Sequence, residues 1–164
     1  MEFFFFFFKS FEEGAEDECT RVIDEAIKWN HLNSEAHLLR AQCFLAKSNP
    51  VEALPCVLTS HTLWKNKEPE EWPPYAIRVS TAKIFIEVGQ LDDATDLLET
   101  LTHEDDEDSE IFYLLGLCYF NLADDDAECL LDAKECLIRS KNVCILIIEK
   151  IIIIIIIYFL NLVT

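Results

Sequence analysis

The amino-acid sequence predicts an all-α fold, about three helical hairpins preceded by one further helix. Three observations predict it. Between positions 15 and 141 apolar residues recur every three or four places, the period of a helix buried along one face. Only three Gly and five Pro stand among 164 residues, too little turn chemistry for an all-β fold. Small residues and aromatics also return at fixed offsets, as they do when one supersecondary unit is repeated.

The predicted helices are 15–30, 34–47, 50–62, 75–88, 91–102, 109–122 and 129–141. The first carries Cys19, Ile23 and Ala26 along one face and reads as half of a unit. Asn49-Pro50-Val51-Glu52 is a helix start. Asn49 can cap, Pro50 suits a first turn whose N–H has no helical partner, and Glu52 can reach back to the cap. Glu68-Pro69 and Trp72-Pro73-Pro74 forbid a helix across 63–74. Gly89 stands where a helix stops, and Asp92 and Asp93 suit the positive end of the next. An offset of 34 places Ala82 over Gly116, Phe85 over Tyr119 and Val79 over Tyr113. Ala41 to Ala53 and Ala82 to Ala94 are both 12 residues, and Phe44, Phe85 and Tyr119 each follow the small residue by three. Antiparallel helices approach closely only where side chains are small, and the aromatic fills the gap beside that contact.

This pattern resembles the tetratricopeptide repeat, which makes the expected fold a tetratricopeptide-like α-solenoid. In that frame Ala41, Ala82 and Gly116 occupy position eight, and Ala53, Ala94 and Ala133 position twenty. Val57, Leu98 and Leu137 stand at position twenty-four. The chain departs from the pattern at position four, where His37, Arg78 and Phe112 replace Trp, and at position thirty-two, which lacks Pro. Gly116 to Ala133 is 17 residues, five more than in the other units. The resemblance implies a ligand groove lined by the first helix of each unit. By register its residues are Glu35, Leu38, Gln42 and Leu45, then Val79, Lys83, Ile86 and Glu87, then Glu110, Tyr113, Leu117, Phe120 and Asn121. Leu38 and Gln42 cannot form the Lys/Asn clamp with which some relatives hold a C-terminal carboxylate, so heat-shock chaperone tails are not the expected ligand.

Charge narrows the partner. Thirteen Lys and Arg face 31 Asp and Glu, a formal charge of −18. Nucleic-acid affinity comes largely from Lys and Arg on phosphates, so direct nucleic-acid binding is not expected, nor is docking on anionic lipid. A basic protein client is. From Glu87 to Glu135 there are 17 acidic residues against one base, Lys134. The runs His103-Glu104-Asp105-Asp106-Glu107-Asp108 and Asp124-Asp125-Asp126 read as solvated connections. Neither has the D-x-D-x-D-G order and closing Glu of a calcium loop.

Catalytic signatures are missing from the sequence. His31, His37, His61 and His103 are scattered with no H-E-x-x-H, and there is no G-x-S-x-G, phosphate loop or dinucleotide fingerprint. The expectation is a non-enzyme without metal or cofactor. Seven Cys, at 19, 43, 56, 118, 129, 136 and 144, form no C-x-x-C or zinc spacing, and an odd number cannot all pair. They read as small reduced hydrophobes of a cytoplasmic and nuclear protein.

The ends differ from the middle, so the expected organisation is a Phe-rich stretch 1–14, a repeat domain 15–142 and an Ile-rich segment 143–164. Phe3 to Phe8 is short and follows Glu2, unlike a secretory signal. The run Ile151–Leu160 has ten apolar residues, where a membrane span needs roughly 20. Three readings stand for 143–164: translated AT-rich non-coding DNA, a hydrophobic terminal helix on the last repeat, or a membrane anchor.

Three stretches carry a narrower resemblance. Leu63-Trp64-Lys65 is followed by Pro73-Pro74-Tyr75 and Arg78-Val79-Ser80-Thr81-Ala82-Lys83. Glu87-Val88-Gly89-Gln90 runs on to Leu97-Leu98-Glu99. Ile111-Phe112-Tyr113-Leu114-Leu115-Gly116-Leu117-Cys118-Tyr119 leads to Ala133-Lys134-Glu135-Cys136-Leu137. Over roughly 15–142 the chain resembles the eukaryotic dedicated assembly chaperones of large-subunit ribosomal protein four. That resemblance implies capture of a newly made, basic ribosomal protein during ribosome biogenesis, in cytoplasm and nucleus. The other roles open to such an array are a generic scaffold or co-chaperone and, if 143–164 is an anchor, a tail-anchored organelle adaptor. Oligomeric state is not legible.

Overall fold

The computed structural model describes residues 15–123 and 129–142; the expectations for 1–14 and 143–164 lie outside the described residues. The described residues contain no strand. Their helices are α1 (Ala15–Trp29), α2 (Ser34–Ala46), α3 (Pro50–Thr62), α4 (Tyr75–Glu87), α5 (Leu91–Glu104), α6 (Ser109–Leu122) and α7 (residues 129–142). The all-α expectation holds, and the end of α1 and both ends of α2 to α6 fall within two residues of their predicted places. None of the described helices is long and apolar enough to cross a membrane. The chain forms two compact units, one ending at Gln90 and the other beginning at Leu91. The division falls between α4 and α5, the two helices of the expected second hairpin.

In the first unit, Asn33 and Asn49 start α2 and α3. Their side-chain oxygens accept the N–H groups of Ala36 and Glu52, at 3.1 and 3.3 Å. Such caps satisfy donors that the first turn leaves unpaired. Helices α2 and α4 end alike. Asn49 N donates to Phe44 O at 2.9 Å and Ser48 N to Leu45 O at 2.8 Å; Gln90 N donates to Phe85 O at 2.8 Å and Gly89 N to Ile86 O at 3.1 Å. This paired closure needs a left-handed residue, and Ser48 (φ 56°) and Gly89 (φ 80°) supply it at the same place in the repeat.

Helices α1 and α2 run antiparallel along a seam with three cross-contacts. Asp24 lies 3.3 Å from Arg40, Thr20 accepts from Lys47 at 3.4 Å, and the sulfurs of Cys19 and Cys43 are 4.0 Å apart. Helices α2 and α3 form a hairpin in which Ser60 Oγ donates to Ser34 O at 2.8 Å, joining the end of one helix to the start of the other. The small residues Ala41 and Ala53 are fully buried, as the repeat frame requires.

Helix α4 packs on α2 and α3, and the connection 63–74 is pinned by aromatic rings. Trp64 is 3% exposed, its ring edge-on to His61 at 4.8 Å and to Trp72 at 6.1 Å, while His61 meets Phe85 at 5.2 Å. Arg78 is also buried. Its guanidinium lies 5.5 Å from the centre of the Trp72 ring, and its Nε donates to Pro73 O at 3.0 Å. The sequence frame marks Arg78 only as a replacement for Trp. The structure shows what it does there: it ties the start of α4 to the Pro-rich connection through a cation–π contact and a carbonyl.

In the second unit, α5 packs on α6 with Ala94, Leu98 and Leu101 fully buried. Ser140 Oγ donates to Ser109 O at 2.8 Å. This repeats the Ser60–Ser34 bond, so α6 and α7 form a hairpin of the same kind. Ser34 to Ser60 is 26 residues and Ser109 to Ser140 is 31, so the five extra residues fall within the hairpin without displacing its closing bond. Gly116 marks the close approach: a Cβ there would stand 2.9 Å from Leu137 Cγ and 3.2 Å from Ala133 O.

Candidate functional site

The groove expectation names residues on α2, α4 and α6, and the structure treats the three stripes differently. Position five is the clearest case. Leu38 on α2 is 2% exposed and Val79 on α4 is 7% exposed, whereas Tyr113 on α6 is 53% exposed. Leu38 and Val79 are packed inside the first unit and offer no side chain to a ligand, which corrects their assignment as groove-lining. Around them Glu35 and Glu87 are exposed, and Gln42, Leu45, Lys83 and Ile86 are half-buried. Protein packed around the Glu87 carboxyl pushes its pKa upward.

On α6 the whole stripe is accessible. Glu110, Tyr113, Leu117 and Phe120 are spaced by three or four residues and so share one helix face. Glu110, Tyr113, Phe120 and the adjoining Asn121 are exposed, Phe120 by 62%, and Leu117 is half-buried. Large aromatic rings in water at one edge of a helix are unusual for a surface built only for solubility. Phe120 also borders an open groove of about 510 Å³ against α7, whose walls include Leu130, Ala133, Leu137 and Ile138, with Lys134 and Lys141 at its rim.

The acidic connection before α6 is more than a solvated run. Asp108 caps α6, accepting Glu110 N at 2.9 Å, and Asp105 accepts Glu107 N at 3.0 Å in a local turn. Asp106 lies 3.8 Å from Arg139 of α7. Arg139 in turn stands 4.1 Å over the ring of Phe112. Part of the negative charge therefore shapes the entrance to α6 and places Glu110 and Tyr113 at its first turns. Sequence reasoning missed Arg139. The signal was Phe112 at position four, an aromatic that needed a partner.

Tyr119, the position-eleven aromatic of the second unit, donates its hydroxyl to Glu99 of α5 at 2.5 Å. Partial burial, and then this bond to a carboxylate, raise its pKa well above the ordinary phenol value. Burial likewise raises the thiols of Cys56, Cys118 and Cys136, which disfavours reactive thiolates there. No disulfide joins the described cysteines. Among the described residues no group of three or more His, Cys, Asp or Glu side chains is placed to hold a metal ion. What the α6 surface can do is bind. Its rings accept cationic or aliphatic side chains, and the Glu110 carboxylate favours Lys and Arg.

No protein-family model matches the chain. Two curated proteins do. One is the "probable assembly chaperone of rpl4" of Emericella nidulans, 32% identical over 115 residues, covering 69% of this chain and 30% of the relative. The other is the "probable assembly chaperone of rpl4" of Schizosaccharomyces pombe, 31% identical over 137 residues, covering 79% of this chain and 41% of the relative. Among solved structures, the assembly chaperone of RpL4 (Acl4, residues 1–338) superposes with a TM-score of 0.66 at 30% identity, over 73% of this chain and 43% of that one. The chain thus spans less than half the length of each, and within that span its sequence and fold resemble assembly chaperones of rpl4.

Proposed function

We propose that this chain is a binding module for a basic ribosomal protein of the large subunit, rpl4, and acts as its dedicated chaperone in ribosome biogenesis. The observation that carries the reading is the joint likeness in sequence and fold to assembly chaperones of rpl4. The physical properties of the chain suit the task. A newly made ribosomal protein carries Lys/Arg-rich segments that would otherwise bind stray RNA or aggregate. A chain of net charge −18 competes for those segments electrostatically, and the exposed rings of Tyr113 and Phe120 give their side chains apolar contact. Binding of this kind needs no catalysis, metal or cofactor, and on this reading the protein would accompany its client through cytoplasm and nucleus. The repeat domain, residues 15–142, is the part that would hold the client.

Co-expression of the full chain with rpl4, followed by affinity capture in low and high salt, tests the reading. The expected result is a soluble complex with rpl4 that weakens as salt rises, and no comparable capture of an unrelated basic protein such as a histone. Equal capture of both, or none of rpl4, defeats it.

A further inference from the structure

Cys19 and Cys43 are a pair that no part of the proposed function uses. They face each other across the α1–α2 seam with their sulfurs 4.0 Å apart. Cys43 is 7% exposed and Cys19 is half-buried, so Cys19 is the more accessible residue of the pair. The helices that carry them are held in register on the same seam by Lys47 on Thr20 and Arg40 beside Asp24. A bonded sulfur pair is about 2.05 Å apart, so closure needs a sulfur shift of about 2 Å, within reach of side-chain rotation.

We propose that Cys19 and Cys43 form a dithiol site that accepts a disulfide oxidant, such as oxidised glutathione, and closes into an intramolecular bridge stapling α1 to the first hairpin. In the first step the Cys19 thiolate attacks one glutathione sulfur, breaks the glutathione disulfide and releases one reduced glutathione. In the second the Cys43 thiolate attacks the Cys19 sulfur of the mixed disulfide and releases the other. Two electrons pass from the cysteine pair to glutathione, and the two thiol protons end on the two released glutathione thiols. The bridge closes a loop from Cys19 to Cys43 around the α1–α2 turn. It fixes α1 against the helix that carries Glu35, Gln42 and Leu45.

The test uses the full chain, reduced and then equilibrated in glutathione buffers of rising oxidised fraction. Non-reducing digestion and mass spectrometry should find a Cys19–Cys43 linked peptide. The same oxidation should raise Tm by roughly 5–10 °C. Cys19→Ser should abolish both the linked peptide and the Tm rise, and so should Cys43→Ala, a milder change at the buried position. Stable glutathione adducts on Cys19, bridges from either residue to another cysteine, or a Tm rise that survives in Cys19→Ser would each overturn the proposal.

Discussion

Ser48 and Gly89 hold equivalent places in two successive repeats of the first unit, and both adopt a left-handed backbone, φ 56° and 80°. Only one is glycine. A Cβ in that conformation crowds the following carbonyl, so Ser48 carries a strain that Gly89 avoids. Ser48→Gly is therefore expected to stabilise the first unit by about 0.5–1 kcal/mol, while Gly89→Ala should destabilise it by about 1 kcal/mol, both read from urea denaturation midpoints. There is open space around Gly89, so its cost would be purely conformational. Tyr119 offers a second check. Burial and the Glu99 carboxylate hold its hydroxyl protonated, so its folded pKa lies above the unfolded value of about 10. The sign follows: the stabilisation is complete below about pH 10 and is lost as pH rises toward the folded value. Tyr119→Phe should cost about 1 kcal/mol at neutral pH for a partly exposed bond, with the gap from the parent protein shrinking above about pH 10.

At the scale of helices, two hairpins close by the same serine bond, Ser60 to Ser34 and Ser140 to Ser109, although the second is five residues longer. Their close approach rests on small residues, and Gly116 is the tightest. A valine there would drive its branches into Leu137 and the backbone at Ala133, so Gly116→Val is expected to lose about 2–3 kcal/mol, measured by thermal denaturation. The alanine variant is a finer probe, because better helix propensity offsets part of the crowding. Much of this was legible beforehand. Helical period, the Asn49 cap, the Pro-rich break and the alternation of small and aromatic residues are local signals, and each survived into the fold, whereas the Asp108 cap was hidden in an acidic run. The groove assignment was less legible, because register fixes which helix face a residue occupies but not whether another helix covers it. Leu38 and Val79 share a register position with Tyr113, and only Tyr113 is open. Arg78 and Arg139 were missed for a related reason: a cation stacked over a ring, buried at Arg78 and exposed at Arg139, cannot be told from any other cation until the ring's position in space is known.

For the molecule as a whole, charge and apolar surface should contribute to client capture in separable ways. A net charge of −18 acts over the Debye length, about 8–10 Å at ordinary ionic strength, and so governs encounter with a basic client. The exposed rings of Tyr113 and Phe120 act only in contact, through desolvation, which salt barely weakens. Reversal of Glu110 or Glu87 to Lys should therefore weaken rpl4 capture several-fold at low salt and much less at high salt, chiefly by slowing association. Glu70→Lys, in the 3₁₀ turn Pro69–Glu71 and on none of the helices that carry the stripes, should change little. Tyr113→Ala and Phe120→Ala should weaken capture by about tenfold or more at both salt concentrations, mainly through faster dissociation. Surface plasmon resonance at two ionic strengths separates the two classes. If Glu110→Lys and Glu70→Lys behaved alike, charge would be acting only as a diffuse field and α6 would have no special part in it. If Phe120→Ala left dissociation unchanged, the aromatic edge would be an accident of packing, and the client would have to be held elsewhere.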